Sequence, residues 1–275
     1  MRPRLYIPGR CQTLFSFLIL AVNAFAQDSA VLTNVGDPLR VGYACAEDDL
    51  QWAGMSCTQE DPCPIYLEIS SIVPDGRKIF LAGNLHSTSA TLGSVLLMSE
   101  DGGATWKEPV ARVRGAAIDQ IQFYSLQAGW AAGETQYPLP RDPFFLITTD
   151  GGSSWHQISV GEDGMAGAVV RFSFDSAQHG ELIVDAGKAS EGGRYLSYET
   201  ETGGSGWTLH GKSDQLPKLK QVENPDWRIR PSKDGKAFEI EQRAGGAWKP
   251  LASFLIDVAN CKAGVEELKE PGPLK

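Results

Sequence analysis

Basic residues are in short supply. The 275-residue chain carries 25 Lys and Arg against 34 Asp and Glu, a formal net charge of −9. Nucleic acids and anionic membrane surfaces are gripped through basic patches, so both partner classes are set aside. Long apolar runs are also missing: beyond the first 26 residues nothing approaches the roughly 18 that a membrane-spanning helix needs. Histidine is sparse. His86, His156, His179 and His210 have no sequence neighbour at metal-ligand spacing, and no His-Glu-x-x-His occurs. Each reads as a surface or turn residue. No Gly-x-Ser-x-Gly elbow appears, and Gly192-Gly193 and Gly203-Gly204 lack the setting of a phosphate loop. The expectation is therefore no catalytic residue, no metal and no cofactor.

What remains is the composition of a folded globular chain, with 42% hydrophobic and 21% charged residues. Its 30 Gly and 16 Pro predict many turns and few long helices. Residues 1–26 read as a secretory signal peptide: Arg2, Arg4 and Arg10 precede an uncharged apolar run over 14–22, and Ala24 and Ala26 sit where a signal peptidase reads. Cleavage is expected between Ala26 and Gln27, leaving a secreted or periplasmic protein that is not inserted in the membrane. Cys11 leaves with the leader. Cys45, Cys57, Cys63 and Cys261 remain, an even number in an oxidising compartment. They allow three pairings. Cys57–Cys63 as a local staple and Cys45–Cys261 as a link between the ends is the pairing expected.

An internal repeat organises the rest. Residues 96–106 read Leu-Leu-Met-Ser-Glu-Asp-Gly-Gly-Ala-Thr-Trp, and 145–155 read Phe-Leu-Ile-Thr-Thr-Asp-Gly-Gly-Ser-Ser-Trp. The shared frame is Ser99, Asp101, Gly103, Thr105 and Trp106, then Thr148, Asp150, Gly152, Ser154 and Trp155. A worn third copy runs from Thr200 to Trp207 with Thr202 in place of Asp. A fourth, 244–248, keeps two glycines and Trp248, and 47–52, ending in Trp52, is a possible fifth. Asp-Gly-Gly between strand-like runs is hairpin chemistry, because Gly accepts positive φ and Asp bonds its own backbone. The Trp then opens the next strand and buries its ring beside the neighbouring repeat. The motif is read as structural, with Asp101 and Asp150 neither catalytic nor calcium-binding.

Each unit holds about four strands: 67–73, 78–82, 94–99 and 105–113; then 117–124, 128–133, 144–149 and 154–160; then 169–175, 181–185, 195–200 and 207–210. Four short strands every 40 to 50 residues predict an all-β propeller of about five four-stranded blades. The unit near 39–52 lacks strands that 252–258 could supply, which closes the ring across the termini and brings Cys45 to Cys261. One domain over 27–263 is expected, with a flexible tail over 264–275.

Ser/Thr-x-Asp-x-Gly-x-x-Trp resembles the Asp-box, or bacterial neuraminidase repeat. Gly129-Trp130-Ala131-Ala132-Gly133 ahead of the second copy resembles, more narrowly, the photosystem II assembly and stability factor family. That resemblance is specific over 79–160, and it implies an exported, non-catalytic propeller that scaffolds assembly by binding another protein. The alternative is a carbohydrate-active propeller, lectin-like or sialidase-like. Sialidases place an Arg-Ile-Pro motif before the first box, whereas 27–98 holds only Arg40 and Arg77, neither followed by Ile-Pro. The long second-to-third loops, 84–93, 134–143 and 186–194, gather at one end of such a fold, where binding concentrates. They carry His86, Gln136, Tyr137, Arg141, Lys188, Glu191 and Arg194, the expected contacts of a monomeric protein with an envelope protein or a glycan.

Overall fold

A computed structural model describes residues 30–58, 60–136, 139–188, 190–220, 224–256 and 260–261. The expected signal peptide and C-terminal tail lie outside the described residues. At the N-terminal end come β1 (Leu32–Thr33), β2 (Leu39–Val41), α1 (Glu47–Trp52), the one helix among the described residues, and β3 (Cys63–Pro64). Then follow β4 (Tyr66–Asp75), β5 (Lys78–His86), β6 (Thr91–Ser99) and β7 (Thr105–Trp106). The next group is β8 (Ala116–Phe123), β9 (Gly129–Thr135), β10 (Arg141–Thr148) and β11 (His156–Ser159). After it come β12 (Ala168–Phe174), β13 (Gly180–Asp185), β14 (Tyr195–Thr200) and β15 (Thr208–Ser213). The chain finishes with β16 (Trp227–Pro231), β17 (Phe238–Ala244), β18 (Ala247–Ile256) and β19 (Asn260–Cys261).

The fold is all-β and built of propeller-type blades. Strands β8 to β11 and β12 to β15 each form a four-stranded antiparallel meander. In the blade β4-β5-β6 the expected fourth strand, 105–113, shrinks to β7 and one bridge between Met98 and Lys107. Pro109 follows at once, and a proline cannot donate to a ladder. In the last blade, β16-β17-β18 is completed by β2 from the other end of the chain, with Leu39 beside Phe254 in parallel register. The described residues thus hold four blades rather than about five, because the first and last expected units are two parts of one sheet. The stretch 47–52 is not a fifth turn either. It has no glycine, and Glu47, Asp48 and Asp49 occupy the first turn of α1, where the helix dipole favours negative charge.

The ends are tied covalently. Cys45 bonds Cys261 and Cys57 bonds Cys63, the expected pairing, and Cys261 also lies opposite Cys63 in the β3–β19 ladder. The first of these closes a sequence separation of 216 residues, which the chain-entropy account values at about 5 kcal/mol.

The hydrophobic core lies between blades. One cluster joins the β16-β17-β18-β2 blade to β4-β5-β6, a second joins that blade to β8–β11, and a third joins β8–β11 to β12–β15. The repeated turns build these contacts. Ser99 Oγ accepts from Gly103 N (2.8 Å) and donates to Asp101 Oδ1 (2.9 Å). Asp101 accepts from Thr105 N (2.8 Å) and Thr105 Oγ1 (2.7 Å). Thr148, Asp150, Gly152 and Ser154 repeat the pattern, and Trp106 and Trp155 each donate Nε1 to the second glycine's carbonyl at 3.1 Å. These bonds hold the Asp101 and Asp150 carboxyls down at about 2, through Thr105 and Ser154 above all.

Each Trp enters the preceding blade. Trp106 meets Phe254 edge-on at 5.0 Å, Trp155 lies 6.2 Å from Phe80, and Trp207 stacks on Phe145 at 5.0 Å. The second glycine goes with it. Gly152 has φ +83°, and a Cβ there would come within 2.4 Å of the Phe80 ring. Two departures stand out. In the third turn Thr202 supplies no carboxylate, Trp207 Nε1 is buried without a hydrogen-bond partner among the described residues, and Trp130 of the preceding blade donates to Gly203 O at 2.8 Å. The fourth copy joins the second and third strands of its sheet, not the third and fourth, so Trp248 is only partly buried and is covered by Arg228, 4.2 Å above its ring.

Trp155→Ala is expected to lose about 3–5 kcal/mol of stability in urea unfolding. Gly152→Ala must both strain the backbone and displace Phe80, whereas Gly245→Ala, at φ +63° with open space around it, carries only the strain. Equal losses at the two glycines would show that the approach to Phe80 does not matter.

Candidate functional site

The innermost strands β4, β8 and β12 each carry a β-bulge at a matching place. Ser70, Asp119 and Val170 are the extra residues, between Ile69 and Ser71, Ile118 and Gln120, and Val169 and Arg171. Bulges re-aim side chains. Here they turn Ser70 and Asp119 toward each other. Ser70 Oγ also donates toward Ile118 O (3.1 Å) or Ala82 O (3.2 Å), tying the first blade to the second.

Above them opens a polar pocket of about 450 Å³, lined by Glu68, Asn84, His86, Ala117, Asp119 and Gln136 together with the 87–91 turn. None of its lining residues is Lys or Arg. Asn84 Nδ2 donates to Glu68 Oε2 at 3.3 Å, and Tyr66 stacks on His86 at the rim, 5.5 Å between rings. Burial raises the Asp119 carboxyl, the neighbouring Glu68 charge adds to this, and the bond from Ser70 opposes it.

Glu134 lies beneath, 3% exposed. It accepts from Val169 N at 3.1 Å on the next blade and from Gln136 Nε2 at 2.6 Å. Burial is the main cause that pushes its pKa up to about 7, with the Asp119 charge contributing. Chemically, the site offers carboxylates in a partly dehydrated setting, two of them held above their ordinary range, and hydrogen-bond acceptors for a cationic or hydroxylated ligand.

The residues expected to bind divide into two groups. His86 and Gln136 meet at this pocket. Lys188 and Arg194 line a second concavity of about 360 Å³ with Leu139, Pro140 and Ala186. Arg194 is committed there: its Nε and Nη2 fork onto Asp185 at 2.6–3.0 Å. Arg141 opens β10, half exposed, 3.5 Å from Asp142. Glu191 offers its backbone carbonyl to Lys212 Nζ at 3.0 Å. Tyr137 lies outside the described residues. Two of the three expected loops are shorter than the sequence suggested: β5 runs on to His86 and β6 starts at Thr91, and β9 and β10 leave only 136–140 between them.

Glu68, Asp119 and Glu134 were missed. Their signal is a charge inside an inner-blade strand, such as Glu68 between buried Leu67 and Ile69, or Glu134 directly after the Gly129–Gly133 run.

Fold and pocket define an all-β propeller-type protein with two disulfides and an acidic pocket at one end. Among the described residues no helix is long and apolar enough to cross a membrane. No family model matches the chain, and no curated protein matches it. Among solved structures it is similar to YCF48 bound to D1 peptide, at 21% identity over 71% of this chain and 55% of that one, with a TM-score of 0.38. YCF48 from Cyanidioschyzon merolae matches at 16% identity over 71% and 58%, TM-score 0.35. The GH74 xyloglucanase from Xanthomonas campestris matches at 15% over 68% and 30%, TM-score 0.39. The chain thus spans little more than half the length of the two YCF48 chains, and likeness at this level transfers neither an activity nor a site residue.

Glu134 gives the site a pH signature. Its carboxyl titrates near 7 when folded and near 4.5 when not, so its favourable contribution is present below about 4.5 and is lost as pH rises through about 7. Glu134→Gln keeps an oxygen for Val169 N–H and removes the titration. Unfolding free energies from urea titrations should fall between about pH 5 and 7.5 in the parent and fall less in the variant, a difference of up to a few kcal/mol. Parallel profiles would exclude a buried, titrating Glu134.

Proposed function

We propose that the protein is an exported, non-catalytic β-propeller whose turns are Asp-boxes, and that it binds an envelope protein as an assembly or scaffold factor. The bound segment presents a Lys, an Arg or an amino terminus to the pocket between β4, β5 and β8. One observation carries this reading: a concave, polar site with Glu68 and Asp119 on its wall and no basic residue lining it. A cation placed there gains charge-assisted hydrogen bonds, and the net charge of −9 steers a basic partner toward it. Export is supported by the leader-like residues 1–26 and by the two disulfides. The family resemblance of the Gly-Trp-Ala-Ala-Gly and Asp-Gly-Gly-x-x-Trp segments points the same way.

The Tyr66–His86 stack favours a second reading. An aromatic face beside carboxylates and an amide also suits a sugar, and a carboxyl raised by burial, as at Asp119, is what a glycosidase acid requires.

Affinity capture of the tagged mature protein from its envelope fraction separates the two, with mass spectrometry of the captured proteins. A stoichiometric partner is expected. Glu68→Gln/Asp119→Asn should lose it by tenfold or more at an unchanged thermal midpoint, and higher salt should weaken capture by the parent. A partner held equally by the double variant would remove the pocket from the interface. Hydrolysis of a fluorogenic glycoside, abolished by Asp119→Asn, would establish the carbohydrate reading instead.

A further inference from the structure

The end of the β12–β15 blade opposite the acidic pocket carries a cluster that the repeat does not use. The third turn is closed by Thr200 Oγ1, which accepts from Gly204 N at 3.1 Å, so the carboxylates beside it are not turn-forming groups. His179, just before β13, places Nε2 3.0 Å from Glu199 Oε1 and 3.9 Å from Glu201 Oε1. One ligand atom from each of these three residues lies within 4.8 Å of the others. Glu199 lies in β14 and Glu201 just beyond its end, in the turn that follows.

A fourth group arrives by a bulge. In the β14–β15 ladder Ser197 pairs with Gly211 and Tyr198 with Leu209, which leaves His210 as the extra residue. Its Nδ1 lies 3.3 Å from the second oxygen of Glu199. The other ring nitrogen of His179 is occupied too: Nδ1 lies 2.9 Å from Asp175 Oδ1. Nε2 faces Glu199 at 3.0 Å, so an ion entering there displaces the Nε2 proton, while the Nδ1–H held by Asp175 keeps the ring in the orientation in which protein imidazoles bind metals. Sequence spacing hides the set, because its members come from a turn and two different strands.

We propose that His179, His210, Glu199 and Glu201 form a site for a divalent transition-metal ion, with Zn²⁺ the best match, and that Asp175 is the positioning residue for His179. Two imidazoles and two carboxylates suit a borderline ion and not Ca²⁺ or Mg²⁺, which take oxygen ligands. Zinc bonds of 2.0–2.2 Å in a tetrahedron put neighbouring ligand atoms about 3.3–3.6 Å apart. The separations of 3.0 and 3.9 Å from His179 Nε2 bracket that value, and His210, 74% exposed and 3.3 Å from the other oxygen of Glu199, joins the set by a rotamer change. The bound ion ties the β12–β13 turn to β14 and β15 and so stabilises the blade whose turn lacks the Asp.

The test is a Zn²⁺ titration of the mature full chain against a chromophoric chelator, repeated with Co²⁺ for its tetrahedral absorption bands. One equivalent is expected to bind saturably and to raise the thermal midpoint. His179→Ala and His210→Ala should each weaken binding at least tenfold, and Asp175→Asn by about tenfold to a hundredfold. His86→Ala and His156→Ala should bind as the parent does. Glu201→Gln, at a side chain 73% exposed, guards against misfolding: it should melt as the metal-free parent does and lose the zinc-dependent rise. No saturable binding would overturn the site and leave His179 as an imidazolium clamped between Asp175 and Glu199. Equal affinity in His179→Ala and Glu201→Gln would overturn it as well.

Discussion

Everything in this molecule hangs on how one blade seats into the blade before it. The device is a turn whose second glycine has positive φ and whose closing Trp swings back across the interface. At Gly152 the backbone comes so close to the Phe80 ring that no side chain fits, and Trp155 then fills the space beside Phe80 and Phe123. A Cβ at Gly103 would come within 3.0 Å of the Leu251 side chain, and Trp106 meets Phe254. The Asp carboxylate reaches none of these apolar surfaces. Its work is to hold the strand-to-strand geometry by which glycine and tryptophan arrive together. Because the cores lie between blades and not within them, a lost Trp loosens two sheets at once.

The third turn shows what can replace the carboxylate. Thr202 cannot accept the paired bonds that Asp101 and Asp150 take, and Trp207 Nε1 goes without an acceptor among the described residues. The interface holds because the preceding blade supplies a bond from its own side: Trp130 stacks on Phe174 at 3.7 Å and donates to Gly203. Gln122 adds a buried amide pair to the Phe174 backbone, at 2.7 and 2.9 Å. Loss of a local bond is thus offset by non-local ones.

The sequence made the turns legible because their chemistry is local: Asp, two glycines and a Trp within a few residues suffice. The disulfides were legible once the ends were assigned to one closed sheet. The blade count was not: the join of 39–52 to 252–258 was expected, but β2 adds one strand to β16–β18, so two expected units make a single sheet. The pocket carboxylates escaped notice for another reason. Glu68 reads as an ordinary outward residue alternating with buried Leu67 and Ile69, and Asp119 is re-aimed by a bulge, which shifts the side-chain alternation by one and leaves no composition signal. His86 and Gln136 were found because loop ends are where exposed polar residues are sought. Arg194 fits that description equally well, but its guanidinium is taken up by Asp185.

The two ends of the blades obey opposite rules. At the turn end, carboxylates sit in water with every acceptor bonded, so Asp101 and Asp150 stay ionised down to about pH 2 and serve the fold. At the pocket end, Asp119 is half-buried and Glu134 buried, with fewer donors, and their pKa values rise. Stability alone would not place a carboxyl titrating near 7 between two blades, where an amide could accept the same Val169 N–H without the desolvation of a charge. The inner bulges lie at the same end, where Asp119 lines the pocket.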